Sequence, residues 1–258
     1  MFTTSGASRL RDRHAERMDG VSPERLIGDS TMEVLRMDET ILRERMRGDC
    51  YRFLSACFCQ PQKNVFQEEK LLQNLTKFLH RICPEAALFS ASMEESILKC
   101  GNEELLVEYT RLFLGPFGVI APPYGSVYLD GERRVMGDST MEVIRRYRNE
   151  GLSGSVDARE LPDHVSVELE FMSYLVFKEI QALETSDLRA ADEAVEKQER
   201  FSGEFLRRWI PPFCERIKEN TENGFYTALA QCASTFIRSS SPADLREVAG
   251  EEKRIASR

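Results

Sequence analysis

Residues 162–183 decide the fold class, and they read PDHVSVELEFMSYLVFKEIQAL. Proline and aspartate at positions 162 and 163 are typical of a helix start. Apolar residues then recur at intervals of three and four, the spacing that places side chains on one face of an α-helix. The stretch therefore predicts a long amphipathic helix, whose buried face carries Val165, Leu169, Met172, Val176 and Ile180.

The same periodicity extends over most of the chain, and no run alternates cleanly between polar and apolar residues as a half-buried strand would. We therefore predict an all-α fold, with one helical-bundle domain over residues 39–238. Its first helix is predicted over 39–59, and its last two over roughly 187–208 and 211–238, with Trp209-Ile-Pro-Pro at their junction. Residues 1–38 and 239–258 are polar and weakly periodic, so we predict mobile tails there.

Charge and composition limit the classes of partner. The chain has 258 residues and a formal net charge of −8, which argues against nucleic acid as the main partner and favours a basic one. No apolar stretch approaches the ~20 residues that a membrane-spanning helix needs. The N-terminus has no apolar secretory core, so we expect a soluble, cytoplasmic protein.

The seven cysteines predict reduced thiols. Their number is odd and they are scattered through predicted helices, which suits a cytosolic protein better than a disulfide framework. Cys57 and Cys59 lie only two positions apart on a predicted helix, so their side chains do not share a face. We therefore predict small buried residues and no metal site.

One segment occurs twice. Residues 28–36 read GDSTMEVLR and residues 137–145 read GDSTMEVIR, with Leu35 against Ile144 as the single difference. Nothing else repeats at this offset, so the chain is not a solenoid. One interpretation is a fragment duplicated into a non-essential tail. The other is that the first copy can occupy the groove of the second, within one molecule or by segment exchange in a dimer.

A proline-fixed loop is predicted at residues 115–136, where glycine and proline break the helical pattern. Pro122 and Pro123 restrict the loop, so Tyr124 and Tyr128 can be held out as rigid contact surfaces for a peptide. The alternative is that the two tyrosines only pack the loop onto the bundle.

Asp163, His164 and Glu168 are the candidate polar residues. Asp163 is predicted to cap the helix, and Glu168 lies one turn after His164 on the same face. Their oxygens could accept from the guanidinium groups of a peptide with paired arginines. The alternatives are a solvated or structural cluster and, less favoured, an enzyme using Asp163 and His164. No HExxH, GxSxG, P-loop or GxGxxG pattern accompanies them.

Four motifs together resemble a known family. They are E-Y-x-x-L-F-x-G-P at 108–116, P-P-x-x-S-x-Y at 122–128, G-D-S-T at 137–140 and P-D-H-x-x-x-E-L-x-F-M at 162–172. In this order they resemble the TorD/DmsD/NarJ redox-enzyme maturation chaperones, and GDST after PPYGSVYLD is closest to the DmsD branch. The resemblance covers about residues 45–238.

The resemblance implies a helical cytoplasmic chaperone, not an enzyme. It would bind the twin-arginine signal peptide and apo form of a molybdenum-containing oxidoreductase, aid cofactor insertion and delay export. The alternative is an accessory protein that assists metal insertion into a non-molybdenum enzyme. The candidate peptide-binding residues, from the loop and the motifs together, are Pro122, Pro123, Tyr124, Gly125, Ser126, Tyr128, Asp163, His164 and Glu168.

The same resemblance names further partners. A guanine nucleotide or molybdopterin guanine dinucleotide is one, although Phe205 stands where many relatives have a histidine. No cofactor or metal of the chain's own is predicted. The sequence leaves open a monomer or a segment-exchanged dimer.

Overall fold

The computed structural model describes residues 23–62, 66, 70–115, 118–131, 135–152 and 160–240, and it describes side chains from residue 37 onwards. Ten α-helices account for most of these residues. In chain order the helices are α1 (Pro23–Cys57), α2 (Leu71–Ile82), α3 (Pro84–Lys99), α4 (Asn102–Tyr109), α5 (Ser126–Leu129), α6 (Asp138–Asn149), α7 (Val165–Glu184), α8 (Leu188–Phe201), α9 (Arg207–Glu219) and α10 (Gly224–Ser239).

The all-α prediction is confirmed. Extended backbone in the described ranges pairs at one isolated bridge, between Tyr124 and His164. Single π-helical turns extend α4 over Thr110–Leu114 and join α8 to α9 over Ser202–Leu206. No helix in these ranges is long and apolar enough to cross a membrane.

Neighbouring helices pack around an aromatic core. α3 lies against α2 and α10, α7 against α8, and α9 against α10, while short α5 contacts α9. Phe213 of α9 is fully buried, and its ring lies 5.5 Å from Trp209, 5.6 Å from Phe58 and 6.0 Å from Phe113. Aromatic pairs at these distances stabilise a core beyond the area they bury.

The first helix begins earlier than the sequence predicted. α1 starts at Pro23 rather than near residue 39, because proline at a first helical position is pre-organised for the helix. The backbone of residues 23–38 is therefore helical, whereas we had predicted a tail. Contacts divide the chain into Met1–Leu42 and Arg43–Arg258. The rest of the predicted tails, residues 1–22 and 241–258, lies outside the described residues.

The second copy of the duplicated segment forms the start of α6. The backbone N–H of Ser139 donates to the Asp130 carboxylate, as does the Ser139 hydroxyl at 2.8 Å. Thr140 and Val143 are fully buried. The first copy falls in α1, where side chains are not described, so the exchange hypothesis stays a prediction.

The predicted helix junction at Trp209-Ile-Pro-Pro is wrong. The helical path runs through Pro211 and Pro212 inside α9, and the chain turns instead between Glu219 and Gly224. Proline keeps a helix-compatible φ although it donates no hydrogen bond, so a helix can continue through it at a cost. The turn ends where the Asn223 side chain accepts from the backbone N–H of Phe225 and Tyr226 and caps α10.

Candidate peptide-binding site

The proline loop is joined to the start of α7 by its backbone. The N–H of Gly125 donates to the carbonyl of Asp163 at 2.8 Å, and the N–H of Val165 donates to the carbonyl of Pro123 at 2.9 Å. These bonds flank the bridge between Tyr124 and His164. The structure thus brings together the two motifs that the sequence analysis had singled out separately.

Asp163 holds the loop rather than capping α7. Its carboxylate accepts from the backbone N–H of Ser126 at 3.0 Å and from the Ser126 hydroxyl at 2.6 Å. The side chain is 1% exposed. Our prediction that Asp163 caps the long helix is therefore wrong, because α5, brought close by the fold, offers two donors to the same carboxylate oxygen.

His164 is the residue that caps α7. Its Nδ1 accepts from the backbone N–H of Ser166 at 3.2 Å and lies 2.7 Å from the Ser166 hydroxyl. Burial lowers the pKa of His164 to about 4, although Asp163 opposes this shift. The imidazole is therefore neutral at neutral pH. Because Asp163 bonds to Ser126 and His164 to Ser166, the two do not form a hydrogen-bonded dyad.

Protonation of His164 should destabilise the protein in mild acid. As pH falls from 6.5, the ordinary histidine pKa, towards about 4, the unfolded chain binds a proton that folded His164 does not. The contribution of His164 to the free energy of unfolding should therefore fall with falling pH, by at most about 3 kcal/mol over this interval. Denaturant unfolding at a series of pH values measures it.

His164→Asn is the test variant, because asparagine keeps a cap acceptor and does not titrate. Between pH 6.5 and 4 its free energy of unfolding should fall less than that of wild type, by the contribution of His164, while the exposed control His80→Asn should follow wild type. Burial raises the pKa of Glu168, which makes the folded protein relatively more stable as pH falls. Wild type and His164→Asn share this contribution, so it cancels when their free energies of unfolding are subtracted. Parallel curves for wild type and His164→Asn would contradict the assignment.

Glu168 faces the interior. The indole N–H of Trp209 donates to its Oε2 at 2.7 Å, and its Oε1 has no hydrogen-bond partner among the described residues. Burial, followed by the charge of Asp163, raises the pKa of Glu168 well above its ordinary value, and the Trp209 bond opposes them. A Cβ at Gly125 would lie 3.2 Å from both Glu168 Oε1 and Trp209 Nε1, so glycine permits this close approach.

Most of the nine candidate residues are buried in this arrangement. The loop tyrosines and Pro122 are half-buried, whereas the other six are buried: Pro123, Gly125, Ser126, Asp163, His164 and Glu168. The face of Tyr128 is also used within the protein, since it stacks on Trp209 at 5.8 Å and Arg216 lies 6.0 Å from its ring centroid. Among the described residues of the loop, Tyr124 is thus the main aromatic side chain available to a peptide.

Two acidic residues that were not among the predicted site residues, Glu160 and Glu170, offer further carboxylates, and Glu160 is the one that lies close to Tyr124. The Glu160 carboxylate, whose side chain is 40% exposed, lies 3.9 Å from His164 Nε2. Exposed Glu170 accepts from the Ser55 hydroxyl at 3.3 Å. Burial and then Glu160 raise the pKa of Tyr109 to about 12. Glu170 follows Glu168 by two positions on α7, a spacing that places it on a different face and could have indicated an outward acceptor.

The cysteines are free thiols in the structure. Six are buried and Cys59 is exposed, so the prediction of small buried residues holds for all but Cys59. Within the described ranges, no group of three or more His, Cys, Asp or Glu side chains could hold a metal ion.

The candidate site lies within the part of the chain that matches a known protein family. Residues 65–215 match the family described as nitrate reductase delta subunit. The chain is 31% identical to "Chaperone protein TorD" of Vibrio parahaemolyticus over 136 residues, which are 52% of this chain and 61% of that protein. It is 24% identical to the TorD of Aliivibrio salmonicida over 83% of this chain and all of that protein.

A relative from the other named branch is also similar. The chain is 28% identical to "Tat proofreading chaperone DmsD" of Salmonella typhi over 152 residues, which are 59% of this chain and 64% of that protein. The match thus spans less than two thirds of two of these three relatives. The resemblance inferred from the four motifs is confirmed at the level of the family.

Proposed function

This chain belongs to the nitrate reductase delta subunit family, and from that premise we propose that it is a maturation chaperone for a redox enzyme. It binds the twin-arginine signal peptide and the apo form of a molybdenum-containing oxidoreductase in the cytoplasm, aids insertion of the client's cofactor and delays export. The observation that carries the proposal is the family match over residues 65–215, which contains both the 122–128 loop and the 163–168 helix start.

The chemistry of the exposed surface supports a basic, partly apolar ligand. Tyr124 offers a ring, packed edge-on against His164 at 5.4 Å, and Glu160 offers a carboxylate 3.9 Å from His164 Nε2, while Glu170 offers an exposed carboxylate farther along α7. Guanidinium groups bind carboxylates through two parallel hydrogen bonds and also stack on aromatic rings. The surface therefore suits arginine next to apolar side chains.

Asp163 and Glu168 act in this proposal mainly by positioning the loop. In each carboxylate one oxygen accepts a hydrogen bond within the protein: Asp163 Oδ2 from Ser126 and Glu168 Oε2 from Trp209. The other oxygens, Asp163 Oδ1 and Glu168 Oε1, have no hydrogen-bond partner among the described residues. Direct contact between these oxygens and a peptide arginine would require the loop to move away from α7. That contact stays a prediction.

The relatives carry the names of chaperones, which agrees with the prediction that this chain is not an enzyme. Identification of the apoprotein that co-purifies with this chain shows whether the client is a molybdenum enzyme or a non-molybdenum enzyme. Binding of a guanine nucleotide stays a prediction.

Titration with a tryptophan-free twin-arginine signal peptide tests the proposal. Trp209 is the single tryptophan and stacks on Tyr128, so its fluorescence reports changes at the loop, while a dye on the peptide reports binding itself. A twin-lysine peptide should bind about tenfold more weakly, because lysine cannot form the bidentate contact. Absence of binding for both peptides, with the fold intact, would contradict the proposal.

A further inference from the structure

A glutamate-lined groove lies between α4 and the turn that joins α9 to α10. It has a volume of about 1020 Å³, and its polar lining is dominated by carboxylates. Three come from α4 and its start, and two from the turn region: Glu103, Glu104, Glu108, Glu219 and Glu222. Of these five residues only Glu108 belongs to a sequence motif, and the groove itself could not be predicted because the turn lies more than a hundred residues from α4.

The one arginine of this groove is already neutralised. The Arg111 guanidinium donates to both carboxylate oxygens of Glu108, at 2.8 and 2.6 Å, and to the backbone carbonyl of Asn220. These bonds lower the pKa of Glu108, so it stays ionised. Among the described residues no ion pair involves the other four glutamates, so the groove presents uncompensated negative charge to solvent.

An apolar groove continues directly from the acidic one. It has a volume of about 570 Å³ and shares Val107 and Arg111 with its neighbour. Its other lining is largely apolar or glycine: Leu106, Thr110, Gly115, Gly118 and Ile120. Val107 is 61% exposed and lines both grooves, so it offers an apolar surface next to the glutamates.

The apolar groove leads towards the proline loop. Its lining includes Ile120, two residues before Pro122, and the adjacent Ala121 is fixed by its N–H, which donates to the Leu112 carbonyl at 2.8 Å. The acidic and apolar grooves are therefore neighbours that share Val107 and Arg111, and the chain that lines the apolar groove continues into the proline loop.

We propose that the two grooves dock an extended peptide in which arginines or lysines precede an apolar stretch. The basic end lies among Glu103, Glu219 and Glu222, and the apolar stretch lies over Val107 towards Ile120. This inference rests on the proposed function and adds to it a second acidic surface, separate from the one beside Tyr124, that binds basic residues of the peptide. A second copy of this chain fits less well, because its own net charge of −8 would be repelled by the glutamates.

The triple variant Glu103→Gln/Glu219→Gln/Glu222→Gln tests the acidic groove, because all three side chains are exposed and glutamine preserves their size. Binding of a dye-labelled peptide, with two arginines followed by an apolar stretch, is measured by anisotropy. At ~50 mM salt the variant should bind about tenfold more weakly than wild type, and at ~300 mM the difference should shrink. The control Asp192→Asn/Glu193→Gln/Glu196→Gln makes the same charge change on exposed positions of α8 and should bind as wild type.

Val107→Asn tests the apolar groove, with Leu88→Asn as a control of similar exposure on α3. Val107→Asn should weaken binding about equally at both salt concentrations, and Leu88→Asn should leave it unchanged. If wild type binds the peptide and the triple variant binds it equally well, the inference is overturned while the proposed function stands. If wild type does not bind the peptide at all, the proposed function itself is contradicted, and the inference that rests on it is overturned as well.

Discussion

Replacement of Arg47 by alanine should lower the free energy of unfolding by about 3–5 kcal/mol, the cost of removing one partner from a buried ion pair. Arg47 is fully buried on α1. Its Nε donates to Glu44 at 2.7 Å, and a terminal nitrogen donates to Glu179 of α7 at 3.3 Å and to the side-chain oxygen of Gln198 of α8. Alanine would leave Glu44 and Glu179 buried without their cation.

The electrostatics of Arg47 agree with this expectation. Burial lowers the pKa of Arg47, but Glu44, Tyr51 and Glu179 together outweigh burial and raise it overall. The network also joins α7 to α8, since the Gln198 amide donates to Glu179 at 2.8 Å. Loss of the guanidinium therefore weakens the packing of three helices.

Arg45 provides the matched control for Arg47. It lies two positions earlier on α1 and forms an ion pair with Glu184, but the side chains are 58% and 43% exposed. Arg45→Ala should therefore cost no more than ~1 kcal/mol. Urea or guanidinium unfolding of both variants gives the comparison. Equal losses for Arg45→Ala and Arg47→Ala would show that burial of the Arg47 network does not determine its contribution.

Replacement of Trp209 by alanine should cost about 3–5 kcal/mol and release the proline loop. The indole is fully buried, stacks on Tyr128 and packs on Phe213, so alanine leaves a large cavity below the loop. Glu168 also loses the donor to its Oε2. Chemical denaturation measures the stability, and limited proteolysis within residues 118–131 measures release of the loop.

Trp209→Phe separates the hydrogen bond from the cavity. Phenylalanine fills most of the space but donates nothing to Glu168, so we expect a smaller loss of about 1–3 kcal/mol. The control Phe177→Ala, at a half-exposed aromatic position of α7, should cost less than Trp209→Ala. If Trp209→Ala leaves the loop as protease-resistant as wild type, Trp209 does not anchor it.

The local helical pattern could be predicted because it depends on neighbours in sequence. The apolar positions of α7 that were predicted to be buried, Leu169, Met172 and Val176 among them, are buried. The loop before α6 was predictable in part, since glycine and proline there exclude a long helix, but the short helix α5 at Ser126–Leu129 was not predicted. The position of the last helix break was not, because Pro211 and Pro212 are compatible with a helix and the Asn223 cap gives little signal alone.

The sequence by itself determined that the chain is helical, where its proline loop lies and which family it resembles, because these depend on periodicity and short motifs. Only the tertiary structure decided what each polar side chain does. Asp163 bonds to Ser126 across 37 positions and Trp209 to Glu168 across 41. The physical reason is that a side chain bonds to whatever donors the fold brings within about 3 Å, and spacing along the chain does not fix those neighbours. For the same reason the glutamate groove could not be predicted, because its two sides meet only in the folded chain.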